Sequence, residues 1–198
     1  ERKRIARDLH DTVSQEIFAA HMILSGLSQQ ASRLDKEKMQ TQLQSVTAIL
    51  ETAQRDLRIL LLHLRPIELE QKSLVEGIQL LLKELEEKSE LKVSFKYQID
   101  ELPKKIEEHV FRIVQELISN TLRHAQASCL DVYLYQTETG LQLKIVDNGR
   151  GFQLDDVDEL SYGLRNIKER VEDMAGSIQL LTAPKQGLAV DIRIPLLD

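Results

Sequence analysis

ELISNTLRHA, Glu116 to Ala125, closes an amphipathic pattern that predicts a long helix over Pro103–His124. Ile106, Val110, Ile113, Val114, Leu117, Ile118 and Leu122 form its core-facing stripe. Within it Glu116 and Asn120 stand one helical turn apart and share a face. A carboxylate and an amide oxygen beside phosphates make a hard-oxygen set of the kind Mg²⁺ accepts. Downstream, an apolar strand ends in DNGRGF, Asp147 to Phe152, and YGLRNIKERV, Tyr162 to Val171, follows. Asp147 places a carboxylate at the strand end, where a ring amine such as adenine's can donate to it. Gly149 and Gly151 lack side chains, so the backbone can approach a ligand closely. Gly163 opens a helix whose free N–H groups suit a phosphate. A DNG turn alone is usually only a turn, but these pieces in this order over one domain point together to a nucleotide. The absence of any GxxxxGK loop excludes a P-loop enzyme.

Outward from this core, Ser73–Lys88 reads as a helix with Ser73 as N-cap and Glu76 as its capping-box partner. Leu91–Gln98 alternates like a strand; Leu130–Gln136 and Leu141–Val146 are strands about a turn containing Gly140. Tyr162–Ala175 is helical, Ser177–Thr182 and Ala189–Ile194 are strands, and Pro195 closes the sheet edge. Helices grouped with a five-strand mixed sheet predict a two-layer α/β sandwich.

The N-terminal part has a different period. Two helical stretches flank a polar break near Ser28–Lys38. In the second, Leu43, Val46, Leu50, Ala53, Leu57, Leu60 and Leu64 form a heptad seam. The first carries a looser stripe of Ile5, Leu9, Val13, Ala20, Leu24 and Leu27, and Pro66 stops the second helix. A lone helical hairpin is a poor core, whereas two hairpins close a four-helix bundle, so a homodimer is expected. The segment Pro66–Lys72 separates residues 1–66, the dimerising hairpin, from 67–198, the α/β domain.

The first helix also carries ERKRIARDLHDTVSQ, Glu1 to Gln15. With Leu9 at zero on a wheel of about 100° per residue, His10 falls near 100°, Ser14 near 140°, Arg7 near 160°, Asp11 near 200° and Gln15 near 240°. These five share the arc opposite the buried stripe. An exposed imidazole can meet a phosphate, and an adjacent carboxylate can take its proton and hold one tautomer. Phe18 and Met22, near 180° and 220° on the same wheel at about 100° per residue, continue that arc with apolar surface suited to a partner helix.

The bulk properties agree. The 198 residues carry a net charge of -6, which argues against direct binding of nucleic acid. One cysteine, Cys129, excludes an intrachain disulfide and a cysteine-clustered zinc site, and reads as a small buried hydrophobe in a reducing compartment. His21, His63 and His109 read as structural, the acidic run Asp155, Asp156, Asp158 and Glu159 as a solvated loop, and Leu80–Leu82 as core. No apolar run reaches the roughly 18 residues that cross a bilayer.

With these motifs in view, the chain resembles the cytoplasmic core of a sensor histidine kinase of the class that pairs with NarL/LuxR-type response regulators. LHLRP (Leu62–Pro66) and VSQEIFAA (Val13–Ala20) bring it near cell-envelope-stress kinases of the LiaS/VraS type. The resemblance covers the whole chain, with an H-box at Arg7–Asp11, an N-box at Glu116–Asn120 and a glycine box at DNGRGF. It implies a GHKL (Bergerat) domain using ATP and Mg²⁺. It makes His10 the phosphoacceptor and Asp11 its general base, with Asn120 holding Mg²⁺ and Glu116 assisting. It assigns Asp147 to adenine, Gly149, Gly151, Gly163 and Leu164 to the nucleotide, and Gln153–Ser161 to a short lid. His124 becomes a phosphate contact where many relatives carry lysine. Gln15, in Asp11-x-x-x-Gln15, becomes the phosphatase residue that orients water against the regulator's phosphoaspartate. The family's Gly-Thr is here Gly187-Leu188, and leucine cannot supply threonine's contact to adenine through water. The implied partners are a second copy and a receiver domain. The implied setting is the cytoplasmic side of a membrane-anchored bacterial protein, joined to the membrane only through segments upstream of Glu1. Two alternatives compete: an ATP-hydrolysing machine that does not phosphorylate itself, and a non-catalytic dimeric nucleotide-binding scaffold.

Overall fold

The structure is a computed structural model that describes residues 2–30, 35–64, 73–153 and 162–196, with side chains omitted for residues 2–11, 30, 58–64, 88 and 162. It divides into two compact units, Glu1–Arg65 and Pro66–Asp198. The segment Pro66–Lys72, the residues after Gln153 in the expected lid and its acidic run lie outside the described residues.

The first unit is a hairpin of α1 (Arg2–Gln30) and α2 (Lys36–Leu64). Val13, Ala20 and Leu27 of α1, one heptad apart, are buried together with Val46 and Ala53 of α2. Other seam positions with described side chains are less covered: Leu24, Leu43, Leu50 and Leu57 are each between 41 % and 46 % exposed, and Ile17 is 53 % exposed. The expected single stripe is therefore split. Two helices bury only the positions facing each other, and the residues turned some 50° further round the wheel stay outside. Among the described residues no helix is long and apolar enough to cross a membrane.

In the second unit Ser73 caps α3 (Leu74–Lys88), its hydroxyl and the Glu76 carboxylate closing a reciprocal box as expected. Next come β1 (Lys92–Gln98), α4 (Lys104–Asn120), β2 (Cys129–Thr137), β3 (Gly140–Asp147), α5 (Tyr162–Asp173), β4 (Ser177–Thr182) and β5 (Leu188–Ile194). The sheet order is β1-β2-β3-β5-β4. Only β1 and β2 run parallel, because α4 carries the chain back between them. Cross-strand rows such as Val132–Ile145–Val190 and Leu134–Leu143–Ile192 are buried on one face with Ile113, Val114, Ile118 and Ile167. The expected five-strand mixed sheet with helices is present.

Two helix ends differ from the periodicity. The last helix stops at Asp173 because Ala175 is left-handed (φ 54°) and the N–H groups of Ala175 and Gly176 turn back to Glu172 and Val171. The α-helical part of α4 stops at Asn120 and gives way to a π-helical turn, Thr121–Ala125, which Gln126 closes with φ 52°. Such a turn widens the helix by one residue, a local change invisible to a pattern of apolar spacings.

Candidate active site

Helix α4 delivers Glu116 and Asn120 side by side, both half-buried. A side chain built on Gly163 would place its Cβ 2.3 Å from Glu116 Oε1 and 3.4 Å from Asn120 Oδ1. Both oxygens thus abut the first turn of α5, and a side chain there would push the Glu116 carboxylate aside. Asn120 Nδ2 is buried without a hydrogen-bond partner. A buried amide in that condition costs free energy unless a ligand completes it. Among the described residues no three His, Cys, Asp or Glu side chains converge as a metal site. A cation here would take two protein oxygens and complete its shell from phosphate and water, which suits Mg²⁺.

Asp147, at the end of β3, is 5 % exposed. Its Oδ1 accepts the Gly149 N–H at 2.8 Å, and the Leu188 N–H and the Thr121 hydroxyl lie near enough to favour its charged form. Burial raises its pKa above 3.8, and these three donors partly offset the rise. The π-turn brings Thr121 there: its hydroxyl lies 3.1 Å from the Leu117 carbonyl and within reach of Asp147.

The glycines do more than open space for a ligand. A Cβ on Gly149 would meet the Ala125 carbonyl oxygen at 2.3 Å, next to an Arg150 N–H bond to the same oxygen at 2.7 Å. Gly151 (φ 57°) is pressed on the Ala183 carbonyl, and Gly187 (φ 70°) on that of Asp147 itself. Asn148 anchors the other side, its Oδ1 accepting the N–H groups of Ser128 and Cys129 at 2.9 Å each. Sequence reading missed Thr121, Asn148, Thr182 and the packing of Gly187. Of these only the glycine, placed between two strands, carried a signal.

The other expected residues are distributed as follows. His124 is exposed on the π-turn. Leu164 has its side chain buried at 7 % exposure, so only its backbone remains for a ligand. Leu188 sits in β5 and meets Asp147 through its N–H rather than its side chain. His10 and Asp11 lie in α1 with their side chains outside the described set, while Gln15 is exposed. Phe18 and Met22 are 65 % and 56 % exposed.

Residues 1–69 match a family model described as histidine kinase, and residues 105–198 match one described as histidine kinase-, DNA gyrase B-, and HSP90-like ATPase. The chain belongs to the histidine kinases. The sensor protein VraS of Staphylococcus epidermidis is 44 % identical to it over 196 residues, which is 99 % of this chain and 56 % of that protein. VraS of Staphylococcus aureus is 41 % identical over the same shares. The chain thus spans little more than half the length of these kinases. A histidine kinase domain from the blue-light activated kinase of Erythrobacter litoralis superposes with a TM-score of 0.52 at 19 % identity, covering 98 % of this chain and 94 % of that one. AdeS of Acinetobacter baumannii gives 0.52 at 17 %, covering 92 % and 96 %. At such identities the likeness is one of fold. The ATPase family implies that the α/β unit binds ATP.

Proposed function

We propose that residues 1–66 dimerise and carry the phosphoacceptor His10, and that residues 67–198 bind ATP and present it. The observation that carries this reading is the convergence of a buried Asp147 carboxylate, an orphaned Asn120 amide and two side-chain oxygens at the start of α5. Asp147 accepts the adenine amine, the N–H groups of Gly163 and Leu164 face phosphate, and His124 adds a contact near the phosphates. Glu116 and Asn120 hold Mg²⁺, which when bound neutralises charge on the phosphates. An imidazole nitrogen of His10 bonds to the γ-phosphorus, the bond from that phosphorus to the bridging oxygen breaks, and ADP leaves. Asp11 takes the imidazole proton.

The phosphoryl group then passes to an aspartate of a response regulator, for which we propose a receiver domain of the NarL/LuxR class. Phe18 and Met22 lie well round the helix from the uncovered Ile17 and Leu24, on the arc of Gln15, and supply an apolar face for it. Gln15 orients water for hydrolysis of the regulator's phosphoaspartate, the phosphatase reaction, which releases inorganic phosphate. We place this part of the protein in the cytoplasm, where ATP is.

Labelled ATP tests the assignment. Label should enter the protein in acid-labile form, as phosphohistidine does, and His10→Ala should abolish it with ATP affinity unchanged. ATP hydrolysis without label would support the non-phosphorylating machine, and neither activity would support the scaffold. Incorporation into His10→Ala at the parental rate would overturn the assignment.

A further inference from the structure

A threonine on the edge strand, remote in sequence from every motif, ties the glycine loop to the turn beneath Asp147. Thr182 ends β4 opposite Leu188 of β5, which in turn lies opposite Asp147 of β3. Its hydroxyl is half-buried and used twice. It donates to the Gly187 carbonyl oxygen at 2.7 Å and accepts the Phe152 N–H at 3.2 Å. The gripped carbonyl belongs to the peptide unit whose N–H, that of Leu188, faces Asp147 across the β3–β5 ladder.

A trans peptide is a rigid plane with its C=O and N–H pointing in opposite directions. Fixing one end therefore fixes the other. Gly187 has φ 70° and lies against the Asp147 carbonyl, a conformation glycine adopts at low cost but does not enforce, so the unit needs an outside hold. A hydrogen bond accepted at the carbonyl also polarises the peptide and strengthens its N–H as a donor. The second bond, from Phe152, joins this hold to the loop in which Gly151 is pressed on Ala183 and the Lys185 N–H reaches the Arg150 carbonyl.

We propose that Thr182 is a positioning residue for nucleotide binding, acting through the Gly187–Leu188 peptide to hold Asp147 in place. The inference rests on Asp147 being the base-binding carboxylate. Thr182 touches no ligand; it holds the peptide that backs Asp147 at the end of β3.

Valine has nearly the shape of threonine without the hydroxyl. Thr182→Val should raise KM for ATP in autophosphorylation, and the Kd for ADP by titration, about three- to tenfold, as for one lost neutral hydrogen bond. The rate at saturating ATP should stay within about twofold of the parent, and Thr182→Ser should restore the parental KM. The decisive measurement is the double-mutant cycle with Asp147→Asn. Once the carboxylate is gone the relay has none to hold in place, so Thr182→Val should then cost little further affinity. Additive losses in the cycle, or a failure of Thr182→Ser to rescue while its melting temperature matches the parent, would overturn the relay. If Thr182→Val melts too early to assay, the serine variant and ADP binding by Thr182→Ala decide on the same criteria. Parental ADP affinity in Asp147→Asn alone would instead strike at the assignment of the site.

Discussion

Replacing Leu57 by aspartate puts a charge where a second chain is expected to sit. Leu57 is 44 % exposed in the single hairpin, in line with Leu50 at 41 % and Leu43 at 46 %, each one heptad from the next. Full burial of a leucine contributes about 1.5–3 kcal/mol, so the uncovered share leaves roughly 1 kcal/mol per copy for a partner helix to recover. An aspartate there either swings its charge into water and loses only that contribution, or is buried neutral. Neutralising a carboxyl of ordinary pKa at pH 7 costs about 4 kcal/mol. Two copies meet in each dimer, so association should weaken by about 2 kcal/mol at least and about 10 at most, from roughly thirtyfold to complete loss. Sedimentation equilibrium over a concentration series reads this directly, with helicity as the check that each hairpin remains folded. Leu57→Ala should stay at the small end at every pH, and the aspartate variant should regain dimer as its carboxyl protonates below about pH 4. A parent that sediments as a monomer at micromolar concentration, or a Leu57→Asp dimer as tight as the parent's, would refute the reasoning and leave the exposed leucines to another partner.

Asp147→Asn should weaken ATP binding about 10- to 150-fold, the range for a hydrogen bond to a charged group, as read by calorimetric titration. Its raised pKa also sets a pH trend: the folded state holds that proton more tightly than the unfolded chain, so stability is lost as pH climbs from 3.8 through the raised value. Denaturant unfolding of parent against Asp147→Asn should show the variant gaining ground over that interval, and the opposite trend would contradict the burial argument. Gln15→Ala should keep autophosphorylation and lose at least about tenfold in dephosphorylation of the regulator; equal activities would mean that the motif is coincidental. Phe18→Ser and Met22→Ser, at positions 65 % and 56 % exposed, should melt like the parent but transfer phosphate slowly. Early melting without a selective transfer defect would place both side chains in the bundle core.

The capped start of α3, the stripe of α4 and the alternating strands were legible because each is a local pattern, set by neighbours within a turn or a pleat. The Glu116–Asn120 pair was legible for the same reason, being one turn apart on a helix. Thr182 was not, since its two partners lie 30 and 5 residues away and meet only once the β4–β5 ladder has formed. Nor was the role of Thr121, which depends on a π-turn that apolar spacing does not encode. The heptads of α2 announced a seam but not its division: Val46 and Ala53 are buried within the hairpin while Leu43, Leu50 and Leu57 remain uncovered. Period alone does not say whether a stripe meets its own chain or another.

The π-turn at Thr121–Ala125 also makes the chain a ruler. Its far end offers the Ala125 carbonyl to the Arg150 N–H at 2.7 Å, with Gly149 wedged against the same oxygen. Winding the same five residues as ordinary α-helix would swing everything beyond them by roughly a quarter turn. The acceptor would then face away from the glycine loop, and β2 would be led into the sheet from the wrong side. The length of the chain there is matched to its π winding. Length variation among related kinases should gather instead at the opposite end of the sheet, in the exposed hairpin turn Glu138–Thr139, where strand register is already held by the ladder behind it.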